Sequence, residues 1–347
     1  MVKSSFQYDE DQQMRKIVAQ EAKVSSLAIL SDAKIQQDTS KDVLTIRGLL
    51  QDLEKPMNRL VDQAAVGAKT LEENQYREVL SWLSPVPFVR HHERHSESRI
   101  PGSGKWLLDH PQYLSWRNSS NSLILLLHGI KGSGKTFLAS AVVDSFFKES
   151  SKQTSPAPIA YFYCAKNASE LERADPDEIM RSIVRQLTLI NTAQRLVYEA
   201  LLIEYGRREV EAKIDGFDLP RLRVGECVKL ILNVTGSNPA VIVVDALDEV
   251  QEDRRHELVD ALKQITRESG SVIKILITSR DNSNVIALLS DAPKLRIYDH
   301  DNRADMELFV HHHVTLAIQG CNLLDGDVSD DLQEDLVHAL LDGAGEM

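Results

Sequence analysis

The stretch SLILLLHGIKGSGKT, residues 122–136, constrains this chain more than any other. A short apolar run of strand length leads into Gly129, Ile130, Lys131, Gly132, Ser133, Gly134, Lys135 and Thr136, which fit G-x-x-x-x-G-K-[ST] in full. The residues that follow place Phe137, Leu138, Ala141 and Val142 at helical spacing. Strand, glycine-rich loop and helix in that order are what a phosphate-binding loop requires. The glycines let the loop curl with its N–H groups inward, where a Cβ would block the phosphate. Lys135 then reaches the β- and γ-phosphate oxygens, Thr136 offers its hydroxyl to Mg²⁺, and the helix N-terminus adds partial positive charge.

The tetrapeptide GSGK also occurs at 102–105, in a different setting. The residues before it, HHERHSESRI, are charged, and Lys105 is followed by Trp106, which has no hydroxyl for a metal. This copy reads as a turn before a short helix.

A phosphate loop needs an acidic partner, and AVIVVDALDEV, residues 240–250, supplies it. Asp245 closes a buried strand and so stands at the C-terminal edge of the sheet, where open α/β sheets bind ligands. It is the candidate Mg²⁺ ligand with Thr136. Asp248 and Glu249 can orient or deprotonate an attacking water; as carboxylates favoured at a helix N-terminus they have a blander explanation. The strand VIKILITSR ends at Thr278, Ser279 and Arg280 on the same edge. Arg280 is the candidate γ-phosphate sensor, an exposed loop arginine being the alternative.

After residue 122 strands and helices alternate. Strands are expected at 122–128, 158–164, 240–245, 272–279 and 295–299, and helices at 135–148, 176–205, 220–234, 251–269, 303–319 and 329–341. Alternation of this kind predicts an α/β fold, a three-layer α/β/α arrangement around a mostly parallel sheet. The first 83 residues differ. Apolar positions Ile46, Leu50, Leu53, Met57, Leu60 and Ala64 recur at helical spacing, interrupted by Gly48 and Pro56. A helical bundle or short coiled coil is expected over 1–83, a connector with one short helix around Leu107–Trp116 over 84–121, and the nucleotide-binding domain over 122–347. His91, His92 and His95 read as a solvated His-rich linker, since no Cys or carboxylate stands at ligand spacing. His311, His312 and His313 are adjacent on a helix and do not face one ligand.

Charge narrows the partners. A formal net charge of −12 over 347 residues argues against a nucleic-acid backbone or an anionic membrane as the main partner. Three cysteines far apart, with no C-x-x-C pair, suit a reducing compartment, and no apolar run is long enough to span a bilayer. A cytoplasmic location is expected.

HGIKGSGKT, VIVVDALDE and ILITSR, in this order and with the small residue Ala246 after the aspartate, resemble the NACHT family of signal-transducing P-loop NTPases. The fungal, nephrocystin-like group is most similar, because a segment like Arg99–Trp116, RIPGSGKWLLDHPQYLSW, precedes its phosphate loop. The resemblance covers roughly residues 75–347. It implies a switch driven by ATP or GTP with Mg²⁺ and slow hydrolysis, in non-self recognition or cell-death signalling, with protein partners or self-association through the N-terminal helices. Lys131 departs from the proline many relatives carry before the second glycine. The sequence up to LVHALLDGAGEM shows no winged-helix lid and no ankyrin, WD40 or TPR repeat, so an open, fast-exchanging site is expected. A small-molecule kinase and a helical scaffold with an inactive loop are the competing readings.

Overall fold

The computed structural model describes residues 15–16, 18–23, 25, 74–150, 157–189, 195–236, 238–298, 300–320 and 328–344. The chain divides into two compact units, one of residues 1–81 and 201–220, the other of residues 82–200 and 221–347. The helical pattern expected around 46–64 lies outside the described residues. Among those described, no helix is long and apolar enough to cross a membrane.

The larger unit is built on five parallel strands: β1 (Leu123–Gly129), β2 (Ile159–Tyr163), β3 (Ala240–Asp245), β4 (Ile273–Arg280) and β5 (Lys294–Arg296). Their order across the sheet is β2-β3-β4-β1-β5. β2, β3 and nearly all of β1 and β4 are buried residue after residue, which is why they read as unbroken apolar runs. One face packs against α1 (Phe88–Glu97), α2 (Lys105–Asp109), α3 (Pro111–Asn118) and α4 (Lys135–Ser150). The other carries α5 (Pro176–Leu189), α7 (Val224–Thr235) and α8 (Arg255–Glu268), which also pack on one another. Between α5 and α7 comes α6 (Arg195–Asp215). The single helix expected over 176–205 is thus α5 and α6, with 190–194 outside the described residues. After β4 follow α9 (Ser283–Leu288), α10 (Arg303–Gln319) and α11 (Asp330–Ala344).

The edge strand β2 is guarded by side chains. Gln186 accepts from the Tyr161 N–H at 2.9 Å and donates to its carbonyl at 2.8 Å, while Arg173 donates to the Tyr163 carbonyl at 3.0 Å. An open ladder of backbone groups is thereby closed.

Residues 84–121 differ from the connector the sequence suggested. They form three helices that bury Leu107, Tyr113 and Trp116 against the β1 and α4 side chains. Trp116 anchors the segment by donating from Nε1 to the Leu123 carbonyl at 3.0 Å. His92 is buried, not solvated: Nδ1 pairs with the Tyr163 hydroxyl at 2.8 Å and Nε2 with Asp144 at 3.0 Å. Asp144 also accepts from Ser96 at 2.8 Å and Arg99 at 2.7 Å, so one carboxylate on α4 holds α1 and the residues just after it. The contacts of His92 and Asp144 link residues 45 or more apart in sequence, and a local reading of a polar, His-rich stretch misses them.

In the smaller unit, the described part of α6 carries ion pairs at helical spacing, Arg207 with Glu204 and Glu211, and Lys213 with Glu209.

Candidate functional site

The loop from Gly129 to Lys135 joins the buried end of β1 to the start of α4. Gly132 and Gly134 take φ of 85° and 78°, the left-handed region in which a side chain costs energy. A Cβ built on either meets no atom within 4 Å, so their absent side chains leave open space facing the loop. That concavity, lined by backbone and flanked by a helix N-terminus, fits a phosphate. The Lys135 ammonium reaches back across the loop. It donates to the carbonyls of Gly129 (2.9 Å) and Ile130 (2.6 Å) and to the Ser133 hydroxyl (3.1 Å). Burial lowers its pKa, offset in part by Asp248, Asp245 and Asp281.

Asp245 ends β3 on the face that α4 covers. Strand register sets Val244 opposite Ile277, so Asp245 comes beside Thr278. The Thr278 hydroxyl donates to Asp245 Oδ1 at 2.5 Å, and the Thr136 hydroxyl donates to Oδ2 at 2.8 Å. Burial pushes the Asp245 carboxyl above the usual range, against the two threonines and Lys135. The loop hydroxyl and the strand carboxylate therefore meet directly, as a pair that shares one hard cation must. Among the described residues no cluster of three or more His, Cys, Asp or Glu could hold a metal by itself. The Thr136 hydroxyl and the Asp245 carboxylate are hard oxygen donors and would suit Mg²⁺. Thr278 was visible in the sequence as a polar strand end, but its hold on Asp245 depends on strand pairing.

After Asp245 the backbone turns through Ala246 at φ 54°, the one non-glycine residue with positive φ among those described. The Ala246 N–H donates to the Thr278 hydroxyl at 2.9 Å, and a short 3₁₀ turn, Leu247–Glu249, brings both acidic side chains back over the sheet edge. There they meet Arg280. Asp248 accepts from the Arg280 N–H at 2.9 Å and pairs with its Nε at 3.3 Å; Glu249 pairs with Arg280 Nη2 and accepts from the Lys166 N–H at 3.1 Å. Asp248, Glu249 and Arg280 thus form one ion-paired group. It lines the same cleft of about 460 Å³ as Lys135, Thr136 and Asp245. His95, read in the sequence as part of a solvated linker, and Arg173, not singled out there, also line this cleft. Burial pushes His95 down to about 4, so it is a neutral ring, tilted at 40° to that of Tyr163 with the centroids 4.7 Å apart.

The first GSGK copy forms the expected turn, with Lys105 exposed at the start of α2. It has a place near the loop all the same. Gly104 is left-handed at φ 78°, and a Cβ there would stand 3.1 Å from that of Ala141. Its N–H donates to Asp305 at 2.8 Å. Burial raises the Asp305 pKa, opposed by the Gly104 N–H and the Trp106 indole. Ile100, Ser103, Gly104 and Asp305 wall a second cavity of about 180 Å³ whose other side is Gly132–Gly134 and Phe137.

The sequence model of the family described as nephrocystin 3, N-terminal, matches residues 102–280. The vegetative incompatibility protein HET-E-1 of Podospora anserina is 28% identical over 201 residues, which cover 55% of this chain and 14% of that protein. Among solved structures, the Aeropyrum pernix ORC1 protein in complex with DNA has 14% identity and a TM-score of 0.40, covering 71% of this chain and 60% of that one. AMPPCP-bound DnaA from Aquifex aeolicus has 14% identity and a TM-score of 0.33, covering 70% and 58%.

Proposed function

Because the chain belongs to the nephrocystin 3 N-terminal family, in keeping with its resemblance to fungal NACHT proteins, we propose that it is a nucleoside-triphosphate-driven switch with slow Mg²⁺-dependent hydrolysis. The observation that carries this reading is the 2.8 Å hydrogen bond between Thr136 of the loop and Asp245 of β3. It joins the two halves of a triphosphate site that lie 109 residues apart.

In this reading the loop N–H groups and Lys135 bind the β- and γ-phosphates, the ammonium exchanging the carbonyls of Gly129 and Ile130 for phosphate oxygens. Thr136 and Asp245 would hold Mg²⁺, which would supply positive charge against the phosphates. Thr278 keeps the Asp245 carboxylate aimed at the loop. Asp248 and Glu249 orient the attacking water, and Glu249 accepts its proton. Hydrolysis is slow because both Glu249 oxygens are engaged, one by Arg280 and one by the Lys166 N–H. Arg280 is the moving part. It has a choice between two carboxylates and a γ-phosphate, and that choice differs between the tri- and diphosphate states. The likeness to a vegetative incompatibility protein supports placing the output in non-self recognition or cell-death signalling.

The test is single-turnover hydrolysis of radiolabelled triphosphate by the wild type and by Glu249→Gln. The variant should retain nucleotide and lose turnover by about 10²–10⁴-fold, the usual contribution of a general base. Equal turnover removes Glu249 from the mechanism.

A further inference from the structure

Arg255 opens α8 and is 3% exposed, yet its guanidinium is spent on neutral oxygens. Nε donates to the Leu247 carbonyl at 3.1 Å, Nη2 to the carbonyls of Asp248 at 2.8 Å and Val250 at 3.0 Å, and Nη1 to Asn284 Oδ1 at 3.3 Å. A charge taken out of water against neutral partners is costly, and no other side chain offers donors in a planar fork of this span. What the fork holds is the turn that carries Asp248 and Glu249. That turn has two backbone bonds of its own, from the Glu249 N–H to the Ala246 carbonyl at 2.9 Å and from the Val250 N–H to the Leu247 carbonyl at 3.2 Å, and it starts from the left-handed Ala246. For the carbonyls of Asp248 and Val250, Arg255 is the one donor among the described residues. Losing it leaves both carbonyls to seek water or another partner. The bond to Asn284 reaches the other side of the site. Asn284 lies on α9 and its N–H donates to Asn282 Oδ1 at 2.9 Å, while the Asn282 N–H donates to the Arg280 carbonyl at 2.7 Å. Arg255 thus joins the turn with the two carboxylates to the segment that follows Arg280.

Resting on the nucleotide reading above, we propose that Arg255 is a positioning residue for hydrolysis, which fixes the turn of Asp248 and Glu249 against the segment after Arg280 so that only the Arg280 side chain moves when nucleotide binds. Asp248 shows how the frame works. Its carboxylate accepts from the Arg280 N–H at 2.9 Å while its carbonyl accepts from Arg255 at 2.8 Å, so one residue is pinned from both ends. Glu249 is next in the chain, and the same turn sets the direction of its side chain. A displacement of about 1 Å in a group that must meet an attacking water costs about 10²-fold in rate. The phosphate loop lies outside this frame, because no hydrogen bond of Arg255 goes to Gly129–Thr136 or to Asp245. Arg255 therefore acts on turnover and leaves the grip of the loop on the nucleotide as it is.

The test compares Arg255→Lys with the wild type on the full chain, once with Glu249 intact and once in the Glu249→Gln background. Affinity for Mg·ADP, by titration, should stay within about threefold, since the loop supplies it. Single-turnover hydrolysis should fall by about 10²-fold with Glu249 intact and by less than about twofold in the Glu249→Gln background, because the variant acts through a carboxylate that is already gone. Equal losses in both backgrounds, or loss of Mg·ADP binding, overturn the proposal and make Arg255 a general prop of the fold. Asn284→Ala cuts only the bond to α9 and carries the test if Arg255→Lys does not fold; it should lose about tenfold in turnover with Glu249 intact and nothing in the Glu249→Gln background, and no loss in either overturns the proposal. A wild type that binds no nucleotide, or binds without hydrolysing it, refutes the nucleotide reading and not the frame. Hydrogen exchange on the nucleotide-free chain then decides: the variant should speed exchange over 246–250 and 280–288 together and leave 129–136 unchanged, and a rise in one segment alone, or in neither, overturns the positioning role.

Discussion

Replacing Asp245 by Asn should make the nucleotide-free chain more stable while removing its Mg²⁺-dependent function. The carboxylate is 2% exposed and its pKa is raised, so folding disfavours its charged form despite two hydroxyl donors and Lys135. Asparagine keeps the shape and one acceptor oxygen. Losing charge assistance in the bonds from Thr278 and Thr136 costs roughly 1 kcal/mol each. Relief from burying a charge returns several kcal/mol, so the variant gains about 1–3 kcal/mol. At about 2–4 °C per kcal/mol for a domain of this size, its Tm rises by several degrees. The pH dependence has a definite sign. A carboxyl whose folded pKa lies above its unfolded value binds protons better when folded, so wild-type stability falls as pH rises through that window, and the variant's advantage grows with pH. Scanning calorimetry in EDTA from pH 5 to 8 measures this, and a second scan with Mg²⁺ and triphosphate should raise the wild-type Tm but not the variant's. A variant that melts below the wild type in EDTA at every pH refutes the reasoning, because Asp245 is then a net stabiliser of the empty fold.

Two further outcomes follow from the same contacts. Burial lowers the pKa of His91, His92 and His95, the last to about 4, so the unfolded chain binds more protons below the unperturbed value of 6.5. Tm should fall as pH drops from 6.5 towards 4, with a shallower slope in His95→Gln; an unchanged slope means this ring does not contribute. Gly134→Ala meets no steric obstacle at 4 Å and should cost only about 1 kcal/mol for its left-handed backbone, yet the added methyl faces the phosphate cradle. Nucleotide affinity should drop at least tenfold with a small change in Tm, and dye-monitored melting beside a binding titration separates the two.

The parts of the molecule legible in the sequence are those in which chemistry and structure share one continuous stretch. Residues 122–136 carry strand, loop and helix together, and β1, β3 and β4 begin and end within a residue of where their apolar runs do. Residues 84–121 were less legible because their anchors are long-range. Nothing near His92 in sequence announces Tyr163 and Asp144, and a stretch rich in proline and histidine hides the buried Leu107, Tyr113 and Trp116. Strand order has the same character, since β3 and β4 must pair before Thr278 can hold Asp245. The two GSGK copies show both cases. The second announces itself by its neighbours in sequence, whereas the first gains a role from Asp305, 201 residues away.

Isothermal titration of Mg·GTP and Mg·ATP into the wild type, Lys105→Ala and Lys135→Ala tests the central claim most directly. Lys135 spans the loop through three hydrogen bonds, whereas Lys105 is exposed on α2. The wild type and Lys105→Ala should bind one nucleotide per chain with similar affinity, and Lys135→Ala should bind none. A wild type that binds neither nucleotide, or a Lys135→Ala variant that binds as the wild type does, contradicts the account.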